Sequence, residues 1–247
     1  MPAISKHALI FQNRLISFEQ DIDLVDIICS AQTRKDFLCD ETKLFRYLDP
    51  EKHVSMNNRK VSDQSRKIIV NHLRNTVYSS FIKDIYEEMT GYIKSLIYEA
   101  ALLSKDSSKA KRLLGEHKYA ISASDLLQFN DISELIMRIA EDIMQALENE
   151  RSTKELIKKV CKKIDLSIDE ATLDAALPYL ELRHKLVHTD GKVDAAFKRQ
   201  YTMFTYSGNY VSLKHQTIMD AKARITDLIM AIDAAAIEKE ILQPNTP

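Results

Sequence analysis

Apolar residues at Ala8, Phe11, Leu15, Phe18, Ile22, Val25 and Cys29 return at steps of three and four, the spacing of one helical stripe, which Leu9, Ile16 and Ile28 widen. A helix with such a stripe must lie on something. Between Asp36 and Asp63 the apolar clusters are short and are broken by Asp49-Pro50 and Asn57-Asn58, which predicts a short helix and then a connector. The chain therefore divides near residue 60 into an N-terminal helical extension, 1–60, and a larger helical domain, 61–247. From Ser65 onward, Ile69, Leu73, Val77, Phe81, Ile85, Met89, Tyr92, Leu96, Ala100 and Leu103 keep the helical period for about ten turns, across Gly91. A helix of that length predicts the spine of a bundle, with the polar run Asn71 to Asn75 on its solvated face.

A basic, serine-bearing connection over 105–121 leads to a second long helix predicted over 124–150, carrying Leu127, Ile132, Leu135, Ile136, Ile139, Ile143, Met144 and Leu147. Ser152 with Glu155, and Ser167 with Glu170, have the spacing of capping boxes and predict two further helix starts. Pro178 lacks the amide a helical ladder needs, so the helix opened near Ser167 either kinks there or gives way to a new one. That second piece, "PYLELRHKLVH", ends at Asp190-Gly191. Beyond it, "MFTYSGNYVSLK" predicts a small hairpin around Ser207-Gly208-Asn209, and a closing helix is predicted over 217–241. The fold class is all-α, a helical bundle with at most one small hairpin before its last helix.

Composition agrees with this pattern, with four glycines, five prolines and no tryptophan. The 35 Lys and Arg residues nearly balance the 36 Asp and Glu residues, so any attraction to nucleic acid must come from a local patch. Cys29, Cys39 and Cys161 are odd in number and far apart, which argues against a disulfide framework or a zinc knuckle and fits a reducing cytoplasm. Gln12, Asn13 and Arg14 interrupt the first apolar run before a signal-peptide core develops, and no run approaches a membrane span. A cytoplasmic protein without membrane contact is expected.

The candidate chemistry gathers in "ELRHKLVHTDGKVDAAF", residues 181 to 197, where Arg183, His184 and His188 meet the end of an apolar helix. An arginine and a histidine with four to six residues between them resemble the signature of the HEPN family (higher eukaryotes and prokaryotes nucleotide-binding) of helical domains. The same spacing occurs at Arg46 to His53, Arg66 to His72 and Arg112 to His117. Pro50 breaks the first of these, the second opens the spine helix, and the third contains Gly115 in a connector. Only Arg183 to His188 follows an apolar helix late in the chain and precedes a turn, a polar loop and one more long helix, as in HEPN domains. The resemblance extends over roughly residues 65 to 240 and leaves residues 1 to 60 outside it.

The resemblance implies a metal-independent ribonuclease with no cofactor, in which the ribose 2′-hydroxyl attacks the adjacent phosphate and leaves a 2′,3′-cyclic phosphate. Such chemistry needs a base and an acid near neutrality and a fixed cation beside the phosphate. By resemblance His188 transfers the proton, Arg183 clamps the phosphate through its planar fork, and His184 assists or orients. Five positions turn an ideal helix by about 140°, so the last turn must loosen or the site must be shared between copies. HEPN proteins commonly pair two motifs across one cleft, which implies a homodimer with RNA as substrate, in a toxin or antiviral-defence setting with an antitoxin or defence-system partner protein. One departure is Asp190, which stands where HEPN toxins regulated by a nucleotidyltransferase carry a tyrosine.

Other readings of the same residues stay open. His184 and His188 are four apart, a zinc-binding spacing, but Lys185 replaces the glutamate of H-E-x-x-H and no third ligand is evident, so no metal is assigned. The cations are also suited to the negative end of a helix dipole. That account covers a HEPN module without cleavage that binds nucleic acid, nucleotide or a protein partner. Lys158, Lys159 and Lys162, with Arg151, Lys154 and Lys163 around them, form a basic surface able to hold an RNA backbone, as do Lys185 and Lys192 beside the motif. A solvated helix face explains the first cluster equally well. Tyr201, Phe204, Tyr206 and Tyr210 are placed to touch a base or to form a core.

Overall fold

A computed structural model of the chain describes residues 3–33, 51–53, 63–102, 122, 124, 127–148 and 152–245. Among these the protein is predominantly helical, with seven helices and one two-stranded antiparallel hairpin before the last of them. The helices are α1 (Lys6–Thr33), α2 (Asp63–Leu102), α3 (Ile132–Glu148), α4 (Thr153–Lys163), α5 (Glu170–His188), α6 (Ala195–Gln200) and α7 (His215–Glu238). The strands β1 (Tyr206–Ser207) and β2 (Tyr210–Val211) lie between α6 and α7. The short helix expected after Asp36 lies outside the described residues.

The 40-residue α2 is the spine, packed against α1, α3, α5 and α7. Several of its buried residues come in neighbouring pairs, Phe81 with Ile82, Tyr92 with Ile93, Leu96 with Ile97, because partners cover more than one side of the helix. The expected stripe holds through this middle stretch and drifts at the first turns. There Leu73 is exposed and Arg74 turns inward to Asp26 on α1, 3.7 Å away. Asn71, His72 and Asn75 face solvent, as the polar run suggested.

Local capping decides the other boundaries. Asp131 accepts from the amides of Ser133 and Glu134 at 2.7 and 3.0 Å, so α3 opens at Ile132 rather than at 124. Ser152 caps α4 through the Glu155 amide, as expected. The cap of α5 is Asp169, which accepts from Thr172, and not Ser167; Glu170 instead reaches across to Lys158. Pro178 neither ends α5 nor starts a new helix but sits buried inside it.

α1 buries Ala8, Phe11, Leu15, Ile22 and Cys29 against α2 and α7. Of the positions expected to widen that stripe, Leu9 is half-buried, whereas Ile16 and Ile28 are exposed, together with Ile10, Leu24 and Ile27. At 100° per residue these five fall within one arc opposite the buried face, so α1 is apolar on two sides. Its first turn is fastened by a buried polar cluster. Ser5 Oγ accepts from the Ala8 amide, while the Ser5 amide and hydroxyl and the Tyr92 hydroxyl all donate to Asp233 of α7, at 2.9, 2.5 and 2.9 Å. Further along, His215 pairs with Asp23 and Lys222 with Glu19, tying α7 to the outer flank of α1.

Candidate functional site

α5 remains a regular α-helix to His188 and stops at a cap built from Thr189, Asp190 and Gly191. The amides of Thr189 and Gly191 donate to the Lys185 carbonyl, at 3.0 and 2.9 Å, and so satisfy one of the orphan acceptors of the last turn, while the Thr189 hydroxyl donates to the Lys192 carbonyl at 2.6 Å. Asp190 and Gly191 adopt left-handed φ values of 52° and 77°. The φ at 191 favours glycine, and a side chain there would also crowd Leu186 Cδ2 at 3.1 Å.

The segment behind the cap braces it. The Val193 amide donates to Asn209 and the Val211 amide to Gly191, which docks the hairpin on the turn. The hairpin pairs Tyr206 with Val211 and Ser207 with Tyr210, with Gly208 supplying a φ of 57° in the two-residue loop. α6, which no apolar period announces, is capped by Asp194 through the Phe197 amide. It brings Phe197 and Tyr201 against Phe204, which packs edge-on to Tyr179 of α5 at 5.6 Å between ring centroids. Tyr201 and Phe204 are therefore core residues, and Tyr210 is the exposed aromatic of the group.

Arg183 faces the spine. Its Cζ lies 4.2 Å from the centroid of the Tyr86 ring, within cation–π range, and its Nε is buried without a hydrogen-bond partner. Tyr86, Glu87, Thr90, Gly91 and Lys94 of α2 form the opposite wall of an open groove of about 460 Å³ at this arginine. The sequence singles out Arg183 but not the α2 wall, since no local spacing links the two helices. Nothing lies within 4 Å of where a Gly91 side chain would begin, which leaves the groove floor low at that point.

His184 and His188 project from a different side of α5, both exposed, with ring centroids 4.4 Å apart. Because the last turn does not loosen, the five-residue step carries His188 about 140° around the axis from Arg183. Neither group lies in the apolar interior. Within one copy the structure brings the two histidines together and holds the arginine apart from them.

Partial burial, and then the neighbouring His188, push the His184 pKa below its ordinary value. A histidine whose folded pKa is depressed binds fewer protons than in the unfolded chain. Its contribution to stability is therefore present above the unfolded pKa and lost as pH falls through the lower folded one. In a proton NMR titration His184 is expected to have its midpoint below about 6.5, the unperturbed histidine value, and His188→Ala is expected to move that midpoint upward. An unmoved midpoint would show the two rings to be electrostatically independent.

The lysines proposed for RNA differ in their surroundings. Lys158 is engaged by Glu170, Lys185 approaches Asp194 at 3.7 Å and lies over the Phe197 ring, and Lys154 holds Asp174 at 2.5 Å. Lys159, Lys162 and Lys192 are exposed. Arg66 and His72 both belong to α2, while Arg46 and the Arg112 to His117 match lie outside the described residues. Among the described residues no group of three or more His, Cys, Asp or Glu side chains is placed to hold a metal ion, and no helix is long and apolar enough to cross a membrane. Compared with family models, curated proteins and solved structures, the chain matches none of them.

Proposed function

We propose that the protein is a metal-independent endoribonuclease of HEPN type that acts as a homodimer, with the end of α5 contributed by each copy. The observation that carries this reading is a helix end that presents two accessible imidazoles on one side and, on another, a guanidinium that is stacked, partly buried and short of one hydrogen bond. A group so held is preorganised for phosphate oxygens, because its orientation is fixed before the ligand arrives. In the reaction one imidazole takes the 2′-hydroxyl proton as O2′ bonds to phosphorus. The P–O5′ bond then breaks, and an imidazolium returns a proton to the departing O5′.

The divergence of Arg183 and His188 within one helix supports a composite site in which an arginine of one copy works with a histidine of the other across a two-fold axis. The exposed apolar residues on the outer arc of α1 offer further surface for such pairing. The resemblance to HEPN domains suggests a toxin or antiviral-defence setting in the cytoplasm, with a partner protein that restrains the activity.

The test is incubation of the purified full chain with mixed RNA in EDTA. Fragments ending in a 2′,3′-cyclic phosphate and beginning with a 5′-hydroxyl are the expected products, with the protein eluting as a dimer in size-exclusion chromatography with light scattering. Intact RNA that is nevertheless retained by the protein would instead support a module that binds nucleic acid without cleaving it, for which the stacked Arg183 groove suffices.

A further inference from the structure

We propose that His184 and His188 form a two-imidazole chelate for a borderline divalent transition-metal ion of the Zn²⁺ class, and that the bound ion silences the site. The chelate follows from the geometry of one copy; the silencing rests on the ribonuclease reading above. Two imidazoles one helical turn apart are a known chelating pair because the backbone fixes their separation, so the second bond costs little additional entropy. α5 is regular through both positions, both side chains are exposed, and their rings lie 4.4 Å apart. Metal binding needs the neutral ring, so affinity is expected to rise with pH.

Glu181, one turn earlier and close enough to act electrostatically on His184, adds attraction for a cation, while Lys185 and Arg183 oppose it. The described residues of one copy supply no cluster of three ligands, so water fills the remaining coordination positions. The ion is thus an inhibitor and not a cofactor. It occupies the nitrogen lone pairs that a proton-transfer base must keep free.

Titration of the full chain with ZnCl₂ or NiCl₂, followed by calorimetry and by the histidine ring signals in NMR, tests the chelate directly. Both ring signals are expected to shift together, with Ni²⁺ and Cu²⁺ following the usual divalent order and Mg²⁺ without effect. His184→Ala and His188→Ala are each expected to weaken binding by about tenfold or more, at least the loss that follows removal of a ligand's outer-shell partner. His72→Ala, which removes an exposed histidine on α2, is expected to leave it unchanged. Equal binding by all three variants, or shifts confined to other histidines, would overturn the chelate. For the silencing, Zn²⁺ is expected to stop cleavage and excess EDTA to restore it. Tight binding without inhibition overturns that half, whereas an absence of cleavage in EDTA counts against the ribonuclease reading and leaves the binding result standing.

Discussion

On the proposed ribonuclease reading, His188→Ala is expected to reduce RNA cleavage by about a hundredfold or more, the usual loss when a positioned acid–base group is removed. The side chain is exposed, and substitutions at such positions usually change stability by no more than about 0.5 kcal/mol. The circular dichroism spectrum and dimer mass should therefore match those of the wild type, which separates lost chemistry from lost fold. Arg183→Lys is expected to be nearly as damaging, although it keeps the charge. A lysine cannot lie flat over Tyr86 and present a planar fork to two phosphate oxygens at once. Mixing the two variants gives a sharper result. If a site draws its arginine from one copy and its histidine from the other, heterodimers of His188→Ala with Arg183→Ala regain one complete set, and activity rises above that of either parent. Failure of the mixture to recover, with subunit exchange verified, would place the whole site within a single copy and remove the geometric reason for the dimer.

The second large effect concerns stability. Asp233→Ala removes the acceptor of three buried donors, the amide and hydroxyl of Ser5 and the hydroxyl of Tyr92. Each donor left unsatisfied in the interior costs about 1–3 kcal/mol, and the three share one group, so a combined loss of about 3–5 kcal/mol is expected. For a chain of this length that corresponds to a fall in Tm of roughly ten degrees or more, measurable by calorimetry. Burial, and then Asp233 itself, push the Tyr92 hydroxyl well above its ordinary pKa, so it remains a donor at any working pH. Tyr92→Phe, which leaves Asp233 two of its three bonds, is expected to cost about 1 kcal/mol. If Asp233→Ala melts within a degree or two of the wild type, the cluster is not what fastens α1 to α7.

Much of this architecture was legible because burial imposes a period. The middle of α2 and nearly all of α7 declare themselves by apolar steps of three and four, and Ser152 marks the start of α4 because a cap is a local interaction. What failed was wherever two local solutions compete. Ser167 and Asp169 are both good caps, and the choice of Asp169 leaves Glu170 free to meet Lys158 on a neighbouring helix. At the first turns of α2 the period favoured Leu73, yet Arg74 turns inward because α1 supplies a carboxylate there. The candidate site divides in the same way. Its three side chains and the 140° problem can be read from a single helix, whereas Tyr86 behind Arg183 depends on how two helices pack, which no spacing within α5 encodes.

The bond between Ser5 and Asp233 spans a separation of 228 residues. A ribosome threading the chain out from its first residue completes α1 long before the carboxyl that anchors it exists, so the opening helix must wait for the closing one. Contacts of such long range are bought late, after most of the loop entropy has been spent, and belong to the native state more than to the folding nucleus. Weakening Asp233 should accordingly hasten unfolding and leave the refolding rate nearly untouched.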